Sequence, residues 1–147
     1  MKKLYYILAI AYLLIALWLL FFFPFTHASR RNPDALRFVT LVPFEHTLMH
    51  WQNAWKYRNQ PHITQLITNV GGNIVLFIPL GLILASTRLS WVIVLLVGLG
   101  GSLAIESIQI FTQVGNFDVD DIIWNTTGVM LGFLTGTRIR QARQRKS

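Results

Sequence analysis

The stretch that decides the fold is LSWVIVLLVGLGGSLAIESIQIFTQ, residues 89–113. It is long enough to cross a bilayer as a helix, and Glu106 is its only charged residue. Small and polar residues recur in it at steps of four, four, three and four, which places them on one helix face: Gly98, Ser102, Glu106, Gln109 and Gln113. A charge at membrane depth costs roughly 2.5 to 3.5 kcal/mol on insertion scales. We therefore predict that this face is turned toward protein, water or a ligand.

The composition of the whole chain is typical of an integral membrane protein. Of its 147 residues 53% are hydrophobic, with only 13 Lys+Arg and 6 Asp+Glu, whereas a soluble domain carries about 25% charged residues. The absence of cysteine excludes disulfides, zinc–thiolate sites and thiol catalysis. Much of the net charge of +7 lies in the last ten residues, directly after a hydrophobic segment: Arg138, Arg140, Arg143, Arg145 and Lys146. That position indicates membrane topology and lipid contact, and not a nucleic-acid partner.

Four hydrophobic segments predict an all-α membrane protein with four transmembrane helices. Residues 1–25 form the first, whose apolar run exceeds the roughly 7 to 15 residues of a signal-peptide core; we favour an uncleaved anchor over cleavage near residues 26–28. The other three run over 66–86, 89–113 and 122–139 and form a three-helix core, residues 66–139. Only Thr87 and Arg88 separate the second from the third, which predicts an antiparallel hairpin. Residues 140–147 form a basic cytoplasmic tail, and the chain after Gly136 is expected to be disordered.

The segment between the first two spans, residues 26–65, is predicted to be an external loop that contains one amphipathic helix. Its apolar face repeats at steps of four, three and four through Phe44, Leu48, Trp51 and Trp55. Pro43 suits the first turn of such a helix. With two tryptophans on the apolar face and no run long enough to span, the pattern predicts a helix lying in the headgroup region.

Both termini are predicted to be cytoplasmic, because four spans place them on one side and basic residues concentrate there. That side receives eight basic residues, Lys2, Lys3, Arg88 and the five near the C-terminus. The external loop keeps five, which are Arg30, Arg31, Arg37, Lys56 and Arg58. This excess follows the positive-inside rule.

With this orientation, polar residues of three helices lie at one depth, toward the outer leaflet. The second span begins there with Asn69, the third ends there, and the fourth begins there after Asp120. The candidate binding residues of this layer are Asn73, Glu106, Gln109, Asp118, Asp121 and Asn125. We predict that Glu106, Gln109, Asp121 and Asn125 form one cluster between the third and fourth helices, with the nearest cations in the external loop.

Glycines recur at helical spacing in the fourth span, at Gly128, Gly132 and Gly136. The second span offers three more, Gly71, Gly72 and Gly81. Glycine at this period lets neighbouring helices approach closely and brings polar groups within hydrogen-bonding reach. We assign packing roles to Gly81, Gly128 and Gly132, and the same pattern allows an oligomer formed through helix contacts.

The same residues also permit less specific interpretations. Amides in membrane bundles often serve only as interhelical hydrogen bonds worth about 0.6 kcal/mol, and aspartates at a helix N-terminus interact favourably with its dipole. Asn116, Asp118 and Asp120 have the first spacings of a calcium loop, but its glycine and glutamate are missing. His46 and His50 lack a third zinc ligand at helical spacing. We therefore predict no metal and no cofactor, and the catalytic residues, if any, stay unknown.

Three blocks in the second half of the chain resemble the VanZ-like family: NIVLFIPLG (residues 73–81), IESIQ (105–109) and FDVDDIIWNTTG (117–128). They stand in the family's order and spacing, and VPF at residues 42–44 matches an earlier, weaker signature. One departure is that many members carry an arginine shortly before the Asp-x-Asp-Asp block, where this chain has QVGN (113–116). If that arginine pairs with the acids, another cation must serve here, or a carboxylate stays protonated.

The resemblance implies a small bacterial inner-membrane protein. The founding member is associated with low-level resistance to teicoplanin, a glycopeptide whose target is the lipid-linked cell-wall precursor, although most members occur away from glycopeptide resistance clusters. We expect a non-enzymatic envelope protein whose outer-leaflet pocket binds a membrane lipid, a lipid-linked precursor headgroup or a lipoglycopeptide. One alternative is a membrane enzyme with Glu106 and Asp121 as acid and base. Another is a small transporter or scaffold in which Glu106 titrates.

Overall fold

The structure is a computed structural model, and it describes residues 2–22, 39–57, 60–112 and 115–146. Six α-helices follow one another: α1 (Lys2–Phe22), α2 (Glu45–Tyr57), α3 (Gln60–Leu66), α4 (Asn73–Ala85), α5 (Trp91–Phe111) and α6 (Val119–Gln144). A π-helical stretch, Ile67–Gly72, joins α3 to α4 without a break in the helical backbone. Residues that lie outside the described ranges include Gln113 of the polar stripe, residues 26–28 and four cations of the predicted external loop, Arg30, Arg31, Arg37 and Arg58.

Within the described ranges, two helices are long and apolar enough to cross a membrane, Ile63–Ala85 and Trp91–Phe111. These are the second and third predicted spans, so the prediction of membrane helices is confirmed for them by length and composition. The described apolar stretch of α1, Ile7–Phe21, is shorter. The helix α6 has 26 residues but is less apolar, because it has Asp120 and Asp121 in its first turn and basic residues near its end. The count of four spans stays a prediction.

The helix α6 is the centre of the bundle and packs most extensively against α4. Gly128 lies against Ile74 near the start of both helices, and Gly136 lies against Ala85 near the end of α4. The two helices therefore run parallel. A Cβ atom added at Gly71 or Gly72 would meet nothing within 4 Å, so the prediction of close packing at these two glycines is wrong.

The helix α5 packs on the other side of α6 and runs antiparallel to it. Asn125 near the start of α6 contacts Ser102 of α5, and Asp118 ahead of α6 contacts Glu106 near the end of α5. The predicted hairpin of α4 and α5 is thus antiparallel, as expected. The two helices nevertheless make few contacts with each other, because α6 packs against both.

Hydrogen bonds join the helix α1 to the bundle. The Tyr12 hydroxyl donates to the Leu76 carbonyl oxygen at 2.8 Å, and Gln109 Nε2 donates to the Leu20 carbonyl oxygen at 3.1 Å. The end of α1 therefore lies beside the start of α4 and the end of α5. This arrangement makes α1 antiparallel to α4.

The polar stripe of the third span faces the interior of the bundle. The buried residues of α5 are Val94, Gly98, Ser102, Glu106 and Gln109. For its four described members, this burial agrees with the prediction that the stripe is turned toward protein, water or a ligand. Neighbouring helices, and not lipid, therefore surround the charged residue of this helix.

A pair of two-residue strands is added to the otherwise helical fold that the sequence predicts. The strand β1 (Val39–Thr40) pairs in parallel with β2 (Phe117–Asp118), with Val39 opposite Phe117. β1 lies ahead of α2, and β2 directly precedes α6. Backbone N–H and C=O groups ahead of α2 and α6 therefore form hydrogen bonds with each other, as buried backbone groups require.

The helix α2 is the predicted amphipathic helix, but it begins later than expected. Pro43 lies in a turn ahead of Glu45 and not in the first helical turn. Phe44 has φ 64°, in the left-handed region that interrupts a right-handed helix. The apolar face is exposed, with fractions between 40% and 79% for Phe44, Leu48, Trp51 and Trp55.

The expectation of disorder after Gly136 is wrong, because α6 continues to Gln144. Arg140 Nη1 donates to the Ala85 carbonyl oxygen at the end of α4. A cation at a helix C-terminus satisfies carbonyl groups that have no partner in the helix and interacts favourably with its dipole. The basic segment thus extends the bundle.

Candidate functional site

An open cavity of about 410 Å³ lies where α4 and α6 begin and where α1 and α5 end. Five of the six predicted binding residues line this polar cavity: Asn73, Glu106, Gln109, Asp121 and Asn125. Its remaining wall is Leu19 and Leu20 of α1, Thr68, Asn69 and Gly72 of the π-helical stretch, and Val75 and Leu76 of α4. Three helices therefore bring side chains together that are up to 52 positions apart in the sequence (73 to 125).

Glu106 is buried, with 2% of its surface exposed. Its Oε2 accepts a hydrogen bond from the Asp118 N–H at 3.0 Å, which ties α5 to the start of α6. The only ion pair found within the described ranges joins His46 and Asp118, so none of the cations placed by the structure pairs with Glu106. Lys56 of the predicted external loop lies instead over the ring of Tyr57, 5.1 Å from its centroid.

Asp121 and Asn73 face each other across the start of α6 and α4. Asn73 Nδ2 donates to Asp121 Oδ1 at 2.6 Å. This contact joins the start of α6 to the start of α4.

Asn125 presents an unpaired oxygen in the wall of the polar cavity. The residue is 1% exposed, and its Nδ2 donates to Ser102 Oγ at 2.9 Å. Its Oδ1 has no hydrogen-bond partner in the described part of the chain. Leaving a buried acceptor without a partner costs about 1 to 3 kcal/mol. Because Asn125 lines the cavity, its oxygen is a candidate acceptor for a donor from outside the protein.

Asp118, the sixth predicted binding residue, does not line the polar cavity. Its Oδ2 lies 2.6 Å from His46 Nδ1, and its Oδ1 accepts from the Asp120 N–H at 2.9 Å as the N-cap of α6. It contributes to the cavity only through the backbone N–H that binds Glu106. Over the ranges that the structure describes, no three His, Asp or Glu side chains are grouped so as to hold a metal ion.

Asp120 has a role that the sequence analysis missed. Its carboxylate accepts hydrogen bonds from the backbone N–H of Phe44 and of Thr47, the latter at 3.1 Å, and from the Thr47 hydroxyl at 2.7 Å. It therefore caps the N-terminus of α2. A signal was present: α2 follows Phe44, which has no side-chain acceptor, so its first N–H groups need one from elsewhere.

Trp124 strengthens the same connection between α2 and α6. Its Nε1 donates to Thr47 Oγ1 at 3.4 Å, and its ring meets Phe44 edge to face with centroids 5.8 Å apart. The VPF signature at residues 42–44 and the Asp-x-Asp-Asp block are thus in direct contact. The amphipathic helix is fixed to the bundle at the rim of the polar cavity.

The π-helical stretch was also missed, and it supplies one wall of the polar cavity through Thr68, Asn69 and Gly72. A π-helical stretch widens a helix locally and is frequent at functional sites. The Gly71–Gly72 pair was the available signal, since glycine tolerates irregular backbone.

Comparison with known proteins agrees with the blocks that meet at this site. The family model VanZ/LLP1 matches residues 9–140, most of the chain. The chain belongs to the VanZ/LLP1 family. No curated protein and no solved structure matches it. The resemblance noted in the second half of the sequence thus extends to α1, and with its two apolar helices the chain is a VanZ-type envelope protein with the character of a membrane protein.

Proposed function

We propose that this VanZ/LLP1 protein spans the bacterial cytoplasmic membrane four times, through α1, the helix ending in α4, α5 and α6. Support comes from helix directions, since α1 and α5 run opposite to α4 and α6, as successive spans must. With 26 residues, α6 is about 39 Å long at 1.5 Å per residue. Its polar residues Asp120, Asn125 and Thr126 are buried and therefore do not contact lipid.

Both termini are cytoplasmic in this proposal, and the polar cavity lies in the outer half of the membrane. Because the chain has no cysteine, single cysteines report the orientation directly. In whole cells a membrane-impermeant thiol reagent should label Gln52→Cys on α2 and leave Gln144→Cys unlabelled. The opposite labelling would reverse the orientation.

The helix α2 lies in the outer headgroup region, held there by Asp120. The exposed tryptophans Trp51 and Trp55 suit this interfacial position. A variant that keeps only these two tryptophans should be quenched more strongly by shallow than by bilayer-centre probes. Equal quenching would mean that the segment inserts deeply.

We further propose that the polar cavity binds the headgroup of a membrane lipid or of a lipid-linked cell-wall precursor. The observation that carries this proposal is the unpaired Oδ1 of Asn125, one of the residues that line the cavity. A ligand O–H or N–H would supply the hydrogen bond that the described residues do not. The volume of about 410 Å³ falls within the roughly 300 to 1,000 Å³ of small-molecule sites.

The chemistry of the wall selects the kind of headgroup. Glu106, Asp121 and Asn125 offer acceptor oxygens, and no lysine or arginine is among the described residues that line the cavity. Hydroxyl or amino groups fit such a wall, whereas a bare phosphate lacks a cation there. An acyl or prenyl chain can lie along the apolar side of the wall, which is formed by Leu19, Leu20, Val75 and Leu76. A lipoglycopeptide such as teicoplanin would engage the same wall, and tolerance would follow as a secondary phenotype.

A cavity-filling variant tests the proposal without altering a polar group. Leu19→Trp places an indole in the polar cavity, whereas Leu17→Trp, two residues away and 49% exposed, is the matched control. Lipids that co-purify with the full chain would be identified by mass spectrometry. The unmodified protein and the control should retain the same lipid, and Leu19→Trp should retain about tenfold less. Equal retention in all three would remove the proposed binding site.

A further inference from the structure

A second cavity, of about 590 Å³, lies at the opposite end of the bundle, between the ends of α4 and α6. This basic groove is lined by the apolar Leu82, Ala85 and Ile139, together with Arg140 and Arg143. It shares no lining residue with the polar cavity. Since α4 and α6 run parallel, the two cavities belong to opposite leaflets of any membrane that these helices cross.

At the end of the bundle that holds the basic groove, the charged side chains of residues 86–90 and 136–146 are all basic. The sequence contains no acidic residue after Asp121, whereas α6 and the residues after it carry five basic ones. Arg88 lies at the same end, in the turn between α4 and α5. An anion at the mouth of the groove is therefore attracted, and no acidic side chain of residues 122–146 opposes it.

Arg140 is already positioned beside the groove. One of its guanidinium N–H groups donates to the Ala85 carbonyl oxygen, which fixes the half-buried side chain at the end of α4. A guanidinium has five N–H donors in a planar fork, so others remain for a ligand. Arg143, one turn of α6 further on, adds a second guanidinium that is exposed, and such pairs bind phosphate oxygens bidentately.

The floor of the groove is apolar and closed. Gly136 and Ala85 hold the two helices together there, so that a Cβ added at Gly136 would lie 2.6 Å from the Ala85 Cβ. Leu82 and Ile139 extend from this floor and are 39% and 47% exposed. The groove thus combines an apolar channel with a cationic mouth, which matches an amphiphile with an anionic head.

We propose that the basic groove binds an anionic phospholipid, with the phosphate on Arg140 and Arg143 and an acyl chain along Leu82 and Ile139. Clusters of basic residues at a membrane surface attract anionic lipids in general. The apolar channel of the groove adds contacts with an acyl chain to this electrostatic attraction. The two together define one lipid-binding site on the charged surface. This site is independent of the headgroup site in the polar cavity.

Charge-matched variants distinguish binding in the groove from general attraction to the charged surface. Arg140→Gln with Arg143→Gln removes two charges from the groove, and Arg138→Gln with Arg145→Gln removes two from another surface of the same helix. The full chain would be placed in nanodiscs of phosphatidylcholine with a small fraction of phosphatidylglycerol, and retained lipid measured by native mass spectrometry. We expect at least a tenfold loss of phosphatidylglycerol for the groove variant and less than twofold for the control. Equal losses would mean surface attraction only and would overturn the proposal.

A third variant keeps every charge and guards against misfolding of the first. Ile139→Trp should fill the channel and release phosphatidylglycerol to a similar extent, although both arginines remain. Undiminished retention in Ile139→Trp, or equal retention of phosphatidylcholine by the unmodified protein, would also overturn it.

Discussion

Two neighbouring parts of the α4–α6 interface are built in opposite ways. In the middle, Gly132 lies so close to α4 that an added Cβ would overlap the Ile78 carbonyl oxygen and lie 3.1 Å from the Gly81 Cα. Two turns earlier along α6, the same pair of helices borders the polar cavity, where Asn125 Oδ1 has no partner among the described residues. The close packing around Gly132 fixes the positions of both backbones. The part of the interface that borders the cavity can therefore leave space between the helices. A site needs such rigid support to hold its geometry.

The largest effect is expected from breaking the close packing around Gly132. Gly132→Ala should destabilise the protein by at least about 3 kcal/mol, the upper range for overpacking, because the obstructing atom is a backbone carbonyl that cannot move alone. Thermal unfolding of the detergent-solubilised full chain would measure this loss. Gly100→Ala is the control, since a Cβ there meets nothing within 4 Å. Equal stability of the two variants would show that the helices are not in close contact.

The next effect concerns the rim of the polar cavity. Asp120→Ala removes the cap of α2 and should cost about 2 kcal/mol, the range for charged caps. It should also increase the mobility of the tryptophans of α2, measured by fluorescence anisotropy. The control is Glu45→Ala, which removes an exposed acid from the first turn of α2 itself. It should leave both the stability and the fluorescence anisotropy almost unchanged. If the two substitutions behave alike, Asp120 does not hold α2.

Sequence periodicity predicted the structural features that depend on a single helix. The spacing of Ser102, Glu106 and Gln109 is local, and it identified the buried face of α5. The cap of α2 by Asp120 spans 76 positions, and a single sequence contains no record of such a pair. Likewise, π-helical geometry and a helical C-terminal segment depend on what surrounds them.

The three aspartates at the start of α6 show the limit most clearly. Asp118 binds His46, Asp120 caps α2, and Asp121 faces the polar cavity. Each step along a helix rotates a side chain by about 100°, so adjacent acids reach different neighbours. Their shared chemistry predicted a polar layer, whereas the assignment of each acid required the positions of α2 and α4.

A substitution inside the polar cavity should have a smaller energetic effect but a clear functional one. Glu106→Gln keeps the shape and an acceptor for the Asp118 N–H while removing the carboxylate. We expect normal folding and about tenfold lower lipid retention, equivalent to 1.4 kcal/mol. The only other glutamate, Glu45, provides the control substitution Glu45→Gln. Undiminished retention by a well-folded Glu106→Gln protein would make Glu106 a structural acid.

The smallest effect is expected for Asn69, at the open side of the polar cavity. Asn69 and Asn73 are one turn apart, and both line the cavity. Asn73 donates to Asp121, whereas the exposed Asn69 side chain makes no hydrogen bond within the described part of the chain. Asn69→Ala should therefore cost less than about 1 kcal/mol and change lipid retention by less than twofold, with Asn73→Ala losing more of both. A loss of retention in Asn69→Ala as large as in Glu106→Gln would place the ligand against the π-helical stretch. The irregular backbone there, and not the buried carboxylate, would then determine what the cavity binds.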